Sequence, residues 1–294
     1  AGDPTLADLG TAMEATLINL LQNTSMQEAP KTIVAGEAVA MLNERLLKAF
    51  PDAGIRVLLN DQMTADAAAG SDYLKIRSDA LFNALDIDVL EVHEGWVHLG
   101  TTLNGTAQHA CTFLSKGTPS ATTTQEGLAV LTEILTMRSS PPRLYRLINR
   151  VRAVTLAENG ANFLEVFHYL QDHNMSPDDS YSIAVRVFRG STPEGRPYTK
   201  DLAYMRGFVQ TYNFLRLAMS TGKLDSLPVL FCGKILLEDI KDWRLLIDEG
   251  VVSPPRFLPP HFADLTGLAT WMSFSRFIAS LNFDQLQADY GALL

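Results

Sequence analysis

The chain has 294 residues, 24 Lys+Arg against 33 Asp+Glu for a net charge of −9, and 47% hydrophobic residues, enough length and apolar content for one large domain or two small ones with a buried core. The acidic balance argues against a nucleic-acid partner, and the lack of an uninterrupted run of about 18 apolar residues argues against a membrane span. Two cysteines, Cys111 and Cys232, are too few for a disulfide framework and fit a reducing, cytoplasmic location, and the opening AGDPTLADLG has neither the basic nor the apolar region of a secretory signal.

Residues 5–23 place Leu6, Leu9, Met13, Leu17, Leu20 and Leu21 at helical spacing, and Val34, Val39, Leu42, Leu46 and Leu47 repeat the pattern over 34–49. Pro51 and Gly54 punctuate. Ile55–Leu59 then reads as a short strand, with Tyr73–Ile76 and its extension Ala80–Phe82 as a second. From Asp86 the period turns helical through Ile87, Leu90, Val92, Trp96 and Leu99, ending near Gly100. Gly105 and KGTPSATTT read as loop, and Thr123 or Thr124 is placed to cap a helix through QEGLAVLTEILTMR. Ser139–Pro142 (SSPP) is the sharpest break. Helices follow near 143–157, 161–172, 177–188, 200–221, 235–249 and 264–280, with an irregular stretch at Pro254, Pro259 and Pro260. The expected fold class is α+β, mainly α: one domain over 1–294, with sub-lobes of about 1–138 and 143–294 either side of the break.

The chemistry gathers at VHEGWVH, where His93, Glu94 and His98 form H-E-x-x-x-H. The zinc-protease motif H-E-x-x-H sets two histidines one helical turn apart with the glutamate as base. One more residue rotates the pair about 140° apart on an α-helix, too far for one ion. A π-bulge restores the register, and Gly95 inside that turn tolerates unusual backbone angles. A catalytic zinc needs a third protein ligand and an open fourth position. The candidates downstream are His109, Glu126 and Glu133. Gly127 lets another backbone approach beside Glu126, and Glu133, seven residues on, shares its helix face and could support a ligand.

Charge is uneven along the chain. Between Arg186 and Arg206 stand five basic residues, Arg186, Arg189, Arg196, Lys200 and Arg206, against Glu194 and Asp201. Such a cluster is either a solvated face or an anion site.

Thr124–Glu133 (TQEGLAVLTE), with HEGWVHLGTTLNG from His93 to Gly105, Arg186–Gly207 (RVFRGSTPEGRPYTKDLAYMRG) and Leu230–Ile240 (LFCGKILLEDI), resembles a family named after its QEGLAV motif. Its bacterial members are labelled flavohaemoglobin expression-modulating proteins, and its animal relatives are the microtubule-associated tyrosine carboxypeptidases. The resemblance spans roughly residues 73–255. It implies a zincin-like, gluzincin-type metallopeptidase with a small sheet and a helical C-terminal portion. It also implies carboxypeptidase activity on C-terminal aromatic residues, with Zn2+ on His93, His98 and Glu126 and with Glu94 as the catalytic glutamate. The family's helix usually reads H-E-I-G-T-H, with a slimmer residue where Trp96 stands; that indole either reshapes the substrate pocket or packs into the core.

On this reading zinc activates a water and Glu94 moves its proton. The substrate is a peptide or protein C-terminus whose carboxylate needs a cation, and Arg189, Lys200 and Arg206 are the candidates. Lys200 and Arg206 are favoured because they flank Tyr204 at a predicted helix start. Tyr204, like Tyr198, could donate to the oxyanion or stack on an aromatic side chain. The alternative is a non-catalytic, regulatory zinc-binding protein of the same fold acting on gene expression. Glu94 favours the enzyme, because a structural zinc needs no base beside it and is usually closed by four Cys or His ligands.

Overall fold

A computed structural model describes residues 5–22 and 27–290. Residues 1–4 of the opening segment and residue 23 of the first predicted helix lie outside the described residues. Helix α1 (Leu6–Leu21) opens on a reciprocal cap: the Thr5 hydroxyl accepts the Asp8 N–H, and the Asp8 carboxylate accepts the Thr5 N–H. Strand β1 (Ile33–Val34) leads directly into α2 (Ala35–Ala49).

The main sheet holds β2 (Arg56–Asn60), β3 (Ala67–Ala69) and β4 (Tyr73–Arg77) in the order β2-β4-β3. β2 and β4 are parallel, with Val57 opposite Leu74 and Leu59 opposite Ile76; β3 runs antiparallel to β4. Val57, Leu74 and Ile76 are buried with Ala38, Leu42 and Leu46 of α2. Two expectations are corrected here. Strand β5 (Leu81–Phe82) does not extend β4; it pairs with β1, Ile33 opposite Phe82. The strand β3 was not foreseen, since three consecutive alanines carry little strand preference and the hydrogen bonds of β4 hold them extended.

A continuous helical rod follows, formed by α3 (Ala84–Leu90), a π-helical segment (Glu91–Leu99) and α4 (Gly100–Thr106). It begins at Asn83, whose side chain accepts the Asp86 N–H, and runs past Gly100, where the sequence pattern suggested an end. Gly105 is therefore helical; a Cβ there would stand 2.3 Å from the Leu114 carbonyl carbon, so glycine is required by the close approach of the next turn.

Helix α5 (Ala121–Leu135) starts after Ser120, three residues before Thr123 and four before Thr124, the two predicted caps. Thr124 instead lies buried inside it, its hydroxyl accepting the Leu237 N–H at 3.0 Å. The SSPP break starts α6 (Pro141–Glu158): Ser140 accepts the Arg143 N–H and the prolines occupy the first turn. Then come α7 (Phe163–Asp172), α8 (Pro177–Val187), α9 (Leu202–Thr221) and α10 (Ile240–Asp248), the last beginning five residues later than expected. Pro260 opens α11 (Pro260–Ala263) rather than a loop; α12 (Leu265–Ile278) and α13 (Phe283–Tyr290) end the described chain. The chain is thus α+β and mainly helical. Among the described residues no helix is long and apolar enough to cross a membrane.

Helices α1, α6, α7 and α8 bury one core around Leu17, Ile148, Val166, Leu170 and Ile183. Val97, Leu128, Leu131, Leu215 and Phe231 form another where the rod, α5 and α9 meet. There the crossing is backbone on backbone: a Cβ on Gly127 would stand 1.9 Å from the Gly207 carbonyl carbon, and one on Gly207 would stand 1.9 Å from the Thr123 oxygen. Gly127→Ala and Gly207→Ala are each expected to lower stability by about 3 kcal/mol in urea unfolding, by overpacking a backbone contact. Gly36→Ala, at an exposed position of α2 with nothing within 4 Å of the added Cβ, is expected to raise it by about 0.5 kcal/mol.

Candidate active site

The nine-residue π-helical segment widens each turn by about one residue, so positions five apart share a face. The His93 and His98 rings stand edge to face with centroids 4.8 Å apart, and one ligand atom from each of His93, Glu94 and His98 can be chosen within 4.8 Å of the others. Gly95 also contributes closeness: a Cβ there would come 2.4 Å from Leu46 Cδ2, so the widened turn lies hard against α2.

Glu126 reaches the pair from α5, one residue before the glycine crossing. Its Oε2 lies 3.3 Å from His93 Nε2 and 3.4 Å from His98 Nε2, yet this buried oxygen has no aligned hydrogen-bond donor. Two ligands at zinc's bond length of about 2.0–2.1 Å, separated by the tetrahedral angle, stand about 3.3–3.4 Å apart. The spacing and the donor set, two imidazoles and a carboxylate, therefore fit a divalent zinc. Burial opposes charge on both partners, but the contacts win. The close Glu126 and Glu133 carboxylates hold the His93 ring up, at about 10, and the two histidines hold Glu126 well below the usual carboxylate range. Protons and a metal compete for the same atoms here.

The other His93 nitrogen is fixed. Glu133 Oε1 lies 2.6 Å from Nδ1, and Glu133 in turn accepts from Arg143 Nε at 2.6 Å and Nη2 at 2.7 Å. A carboxylate at Nδ1 selects the neutral tautomer whose Nε2 lone pair is free for a metal ion between His93, His98 and Glu126. Burial raises the fully buried Glu133, and the Arg143 charge and the His93 bond more than offset it. Glu94 is placed by a strand the sequence pattern missed: its Oε2 accepts the Ala69 N–H at 3.0 Å.

Glu94, His98 and Glu126 open on a cleft of about 440 Å³, bounded by Ala67–Ala69 on the sheet side and by Gln125 on α5. Arg189, Lys200 and Tyr204 line it as well. Lys200 Nζ stands 3.8 Å from Glu126 Oε1. Tyr204 stacks near His93 with centroids 6.2 Å apart, and burial pushes its phenol up. Arg186, another lining residue, is committed to Asp201 through Nε–Oδ2 at 2.9 Å. Arg206 is not brought to this cleft; it is exposed and lines an adjoining hollow of about 570 Å³ with Tyr198 and Lys200. His109 is exposed on the turn after α4. Trp96 packs on Phe50, with centroids 5.5 Å apart, in the core between the rod and α2, and is absent from the cleft lining. Lys234 was not among the candidates. It enters the cleft from the segment before α10, with Nζ 3.3 Å from the His98 carbonyl, and the only sequence signal was its place in the Leu230–Ile240 segment that carries part of the family resemblance.

Two ion pairs set the electrostatics behind the cleft. Arg143→Met leaves Glu133 buried without its cation and is expected to cost about 3 kcal/mol or more of stability in urea unfolding. Burial raises the Asp201 carboxyl, and the Arg186 hydrogen bond, largest of the opposing contacts, holds it below its ordinary value. Its stabilisation is therefore fully present above the unfolded carboxyl pKa of about 3.9 and lost as pH falls through the lower folded value. Asp201→Asn is expected to cost about 3 kcal/mol at pH 7, with the gap to wild type constant down to about pH 5 and closing below about pH 4 in denaturation measured across pH.

No curated protein sequence matches the chain. The sequence model of the microtubule-associated tyrosine carboxypeptidases matches residues 1–280, a span that takes in the π-helical segment, α5 and the Arg186–Gly207 block. With nearly its whole length covered, the chain belongs to the microtubule-associated tyrosine carboxypeptidase family.

Proposed function

We propose that the protein is a zinc-dependent, zincin-like metallocarboxypeptidase that removes a C-terminal aromatic residue, tyrosine or phenylalanine, from a peptide or protein. We take residues 1–294 as a single catalytic unit whose two sub-lobes meet at the cleft. The observation that carries this reading is Glu126 Oε2, at 3.3 and 3.4 Å from the two imidazole Nε2 atoms, beside a glutamate steered into the same cleft by a backbone N–H. Family membership supplies the reaction type.

His93, His98 and Glu126 would hold the ion; a zinc bound there supplies an activated water and polarises the scissile carbonyl. Glu94 takes the proton of the attacking water and returns it to the leaving amine nitrogen, base first and acid second. The Ala69 N–H bonds one Glu94 oxygen and leaves the other for the proton transfer. Tyr204, half-sheltered beside His93, is placed to donate its hydroxyl to the oxygen that gains charge as the carbonyl is attacked. Glu133 and Arg143 keep the His93 ring from rotating. Arg189 and Lys200 give the mouth of an acidic protein a local positive field, which draws in a carboxylate terminus.

Purified protein is expected to carry one zinc per chain by elemental analysis, and Glu126→Ala to lose it. Glu94→Gln is expected to keep the zinc and lower kcat by about 10²–10⁴-fold for release of tyrosine from a peptide with a free C-terminal Tyr. Cleavage at internal bonds would refute an exopeptidase. Zinc binding with no turnover of any C-terminal aromatic peptide would leave the regulatory reading standing instead.

A further inference from the structure

The residue removed by such an enzyme carries its carboxylate close to the reacting bond. From the N–Cα and Cα–C lengths, the carboxylate carbon lies about 2.5 Å from the leaving nitrogen. Allowing for one C–O bond and one hydrogen bond of about 2.8 Å, the anchoring cation must sit within about 6–7 Å of the nitrogen that Glu94 protonates. Glu94 and Glu126 already place two carboxylates around that point, so an unpaired third would meet both repulsion and a desolvation cost.

Arg196 lines neither the cleft nor the adjoining hollow, and the other four basic residues of the Arg186–Arg206 block are poorly placed for this. Arg186 spends its hydrogen bonds on Asp201. Lys200 faces a Glu126 oxygen, Arg189 is exposed on the turn after α8, and Arg206 lies outside the cleft. Lys234 differs from all four. It lines the cleft with Glu94 and His98 and is half-buried. Its amine makes one hydrogen bond, to the His98 carbonyl at 3.3 Å, and no described carboxylate lies within ion-pair distance of it. An ammonium has three donors, so two remain for an incoming group. Its position is also built. The Lys234 N–H donates to the Leu114 oxygen at 2.8 Å. Gly233 before it has no room for a Cβ, which would stand 2.6 Å from that of Leu114. The Lys234 stem runs along Gly117, where an added Cβ would stand 3.1 Å from its Cδ. Backbone and stem are thus held while the amine stays free to take a ligand.

We infer that Lys234 is the anchor for the C-terminal carboxylate of the substrate, an assignment that rests on the carboxypeptidase reading above. Its ammonium, tethered to the carbonyl of a histidine of the H-E-x-x-x-H helix, fixes how far a free chain end can enter, and so which peptide bond reaches Glu94.

The test is a matched peptide pair ending in Tyr, one with the free acid and one amidated, assayed with wild type, Lys234→Met and Lys234→Arg. The readout is the ratio of kcat/KM for acid over amide, alongside zinc content and melting temperature. Wild type is expected to prefer the acid. Lys234→Met is expected to lower the ratio by about 10–100-fold, the loss of one hydrogen bond to a charged group, mainly through KM, and Lys234→Arg to restore part of it. Should the methionine variant unfold, Lys234→Gln, which keeps a donor for the His98 carbonyl and lacks the charge, carries the same measurement. An unchanged ratio in a folded, zinc-loaded variant overturns the assignment, including the case in which both rates fall by one factor, since that pattern marks a role in charge stabilisation common to both peptides. If wild type itself cleaves acid and amide alike, the carboxypeptidase reading falls and the anchor with it. Discrimination by wild type that persists in Lys234→Met removes the anchor alone.

Discussion

Everything at the candidate centre depends on one backbone departure, the nine-residue π-helical run from Glu91 to Leu99. Two histidines five apart cannot face one point from an α-helix, so the widened turn is what makes the motif chemically usable. A π-turn is less favourable than an α-turn, and the surroundings hold it in place. Capped α3 leads into it and α4 leads out. Leu46 of α2 presses on Gly95, and the Thr101 and Thr102 hydroxyls return to the carbonyls of Val97 and His98. The unusual helix is therefore a product of packing on several sides, with local sequence only permitting it.

Around that helix the buried charges are arranged in a chain. Arg143 neutralises Glu133, Glu133 orients His93, and His93 faces Glu126. Each member would be costly alone in the interior, and removal of any one exposes the next to an unpaired burial. On the opposite flank Arg186 and Asp201 close on each other, which removes one arginine of the positive block from substrate contact and leaves Lys200 and Tyr204 at the cleft.

Much of this arrangement could be read before any coordinates. The helical period located α1, α2 and α6 to α9 within a few residues, because each has a clear apolar face and most have a start signal such as Ser140-Pro141. The His93/His98 spacing by itself demanded a widened helix, and Gly127 announced a close backbone approach. The failures have physical causes too. Ala67–Ala69 has no strand propensity of its own, so the strand that orients Glu94 exists only because β4 lies beside it. Thr124 resembles a cap residue, but its hydroxyl serves the distant Leu237 N–H. The cationic block was legible as charge, yet charge along a chain says nothing about which side chains pair with a neighbour. Arg186 was lost to Asp201 and Arg206 to another hollow, while Lys234, isolated in an apolar segment, carried no charge pattern of its own.

The meeting of Gly127 and Gly207 has a consequence beyond tight packing. It acts as a datum for the whole cleft: Glu126 stands one residue before the contact on α5, and Tyr204 three residues before it on α9. With no side chains between the two backbones, neither helix can slide along the other by a fraction of a turn without collision. The separation between Glu126 and the wall formed by Tyr204 and Lys200 is thereby set by main-chain dimensions alone. Substitutions on the outer faces of α5 and α9 can alter solubility, stability or partner contacts while the width of the opening stays the same.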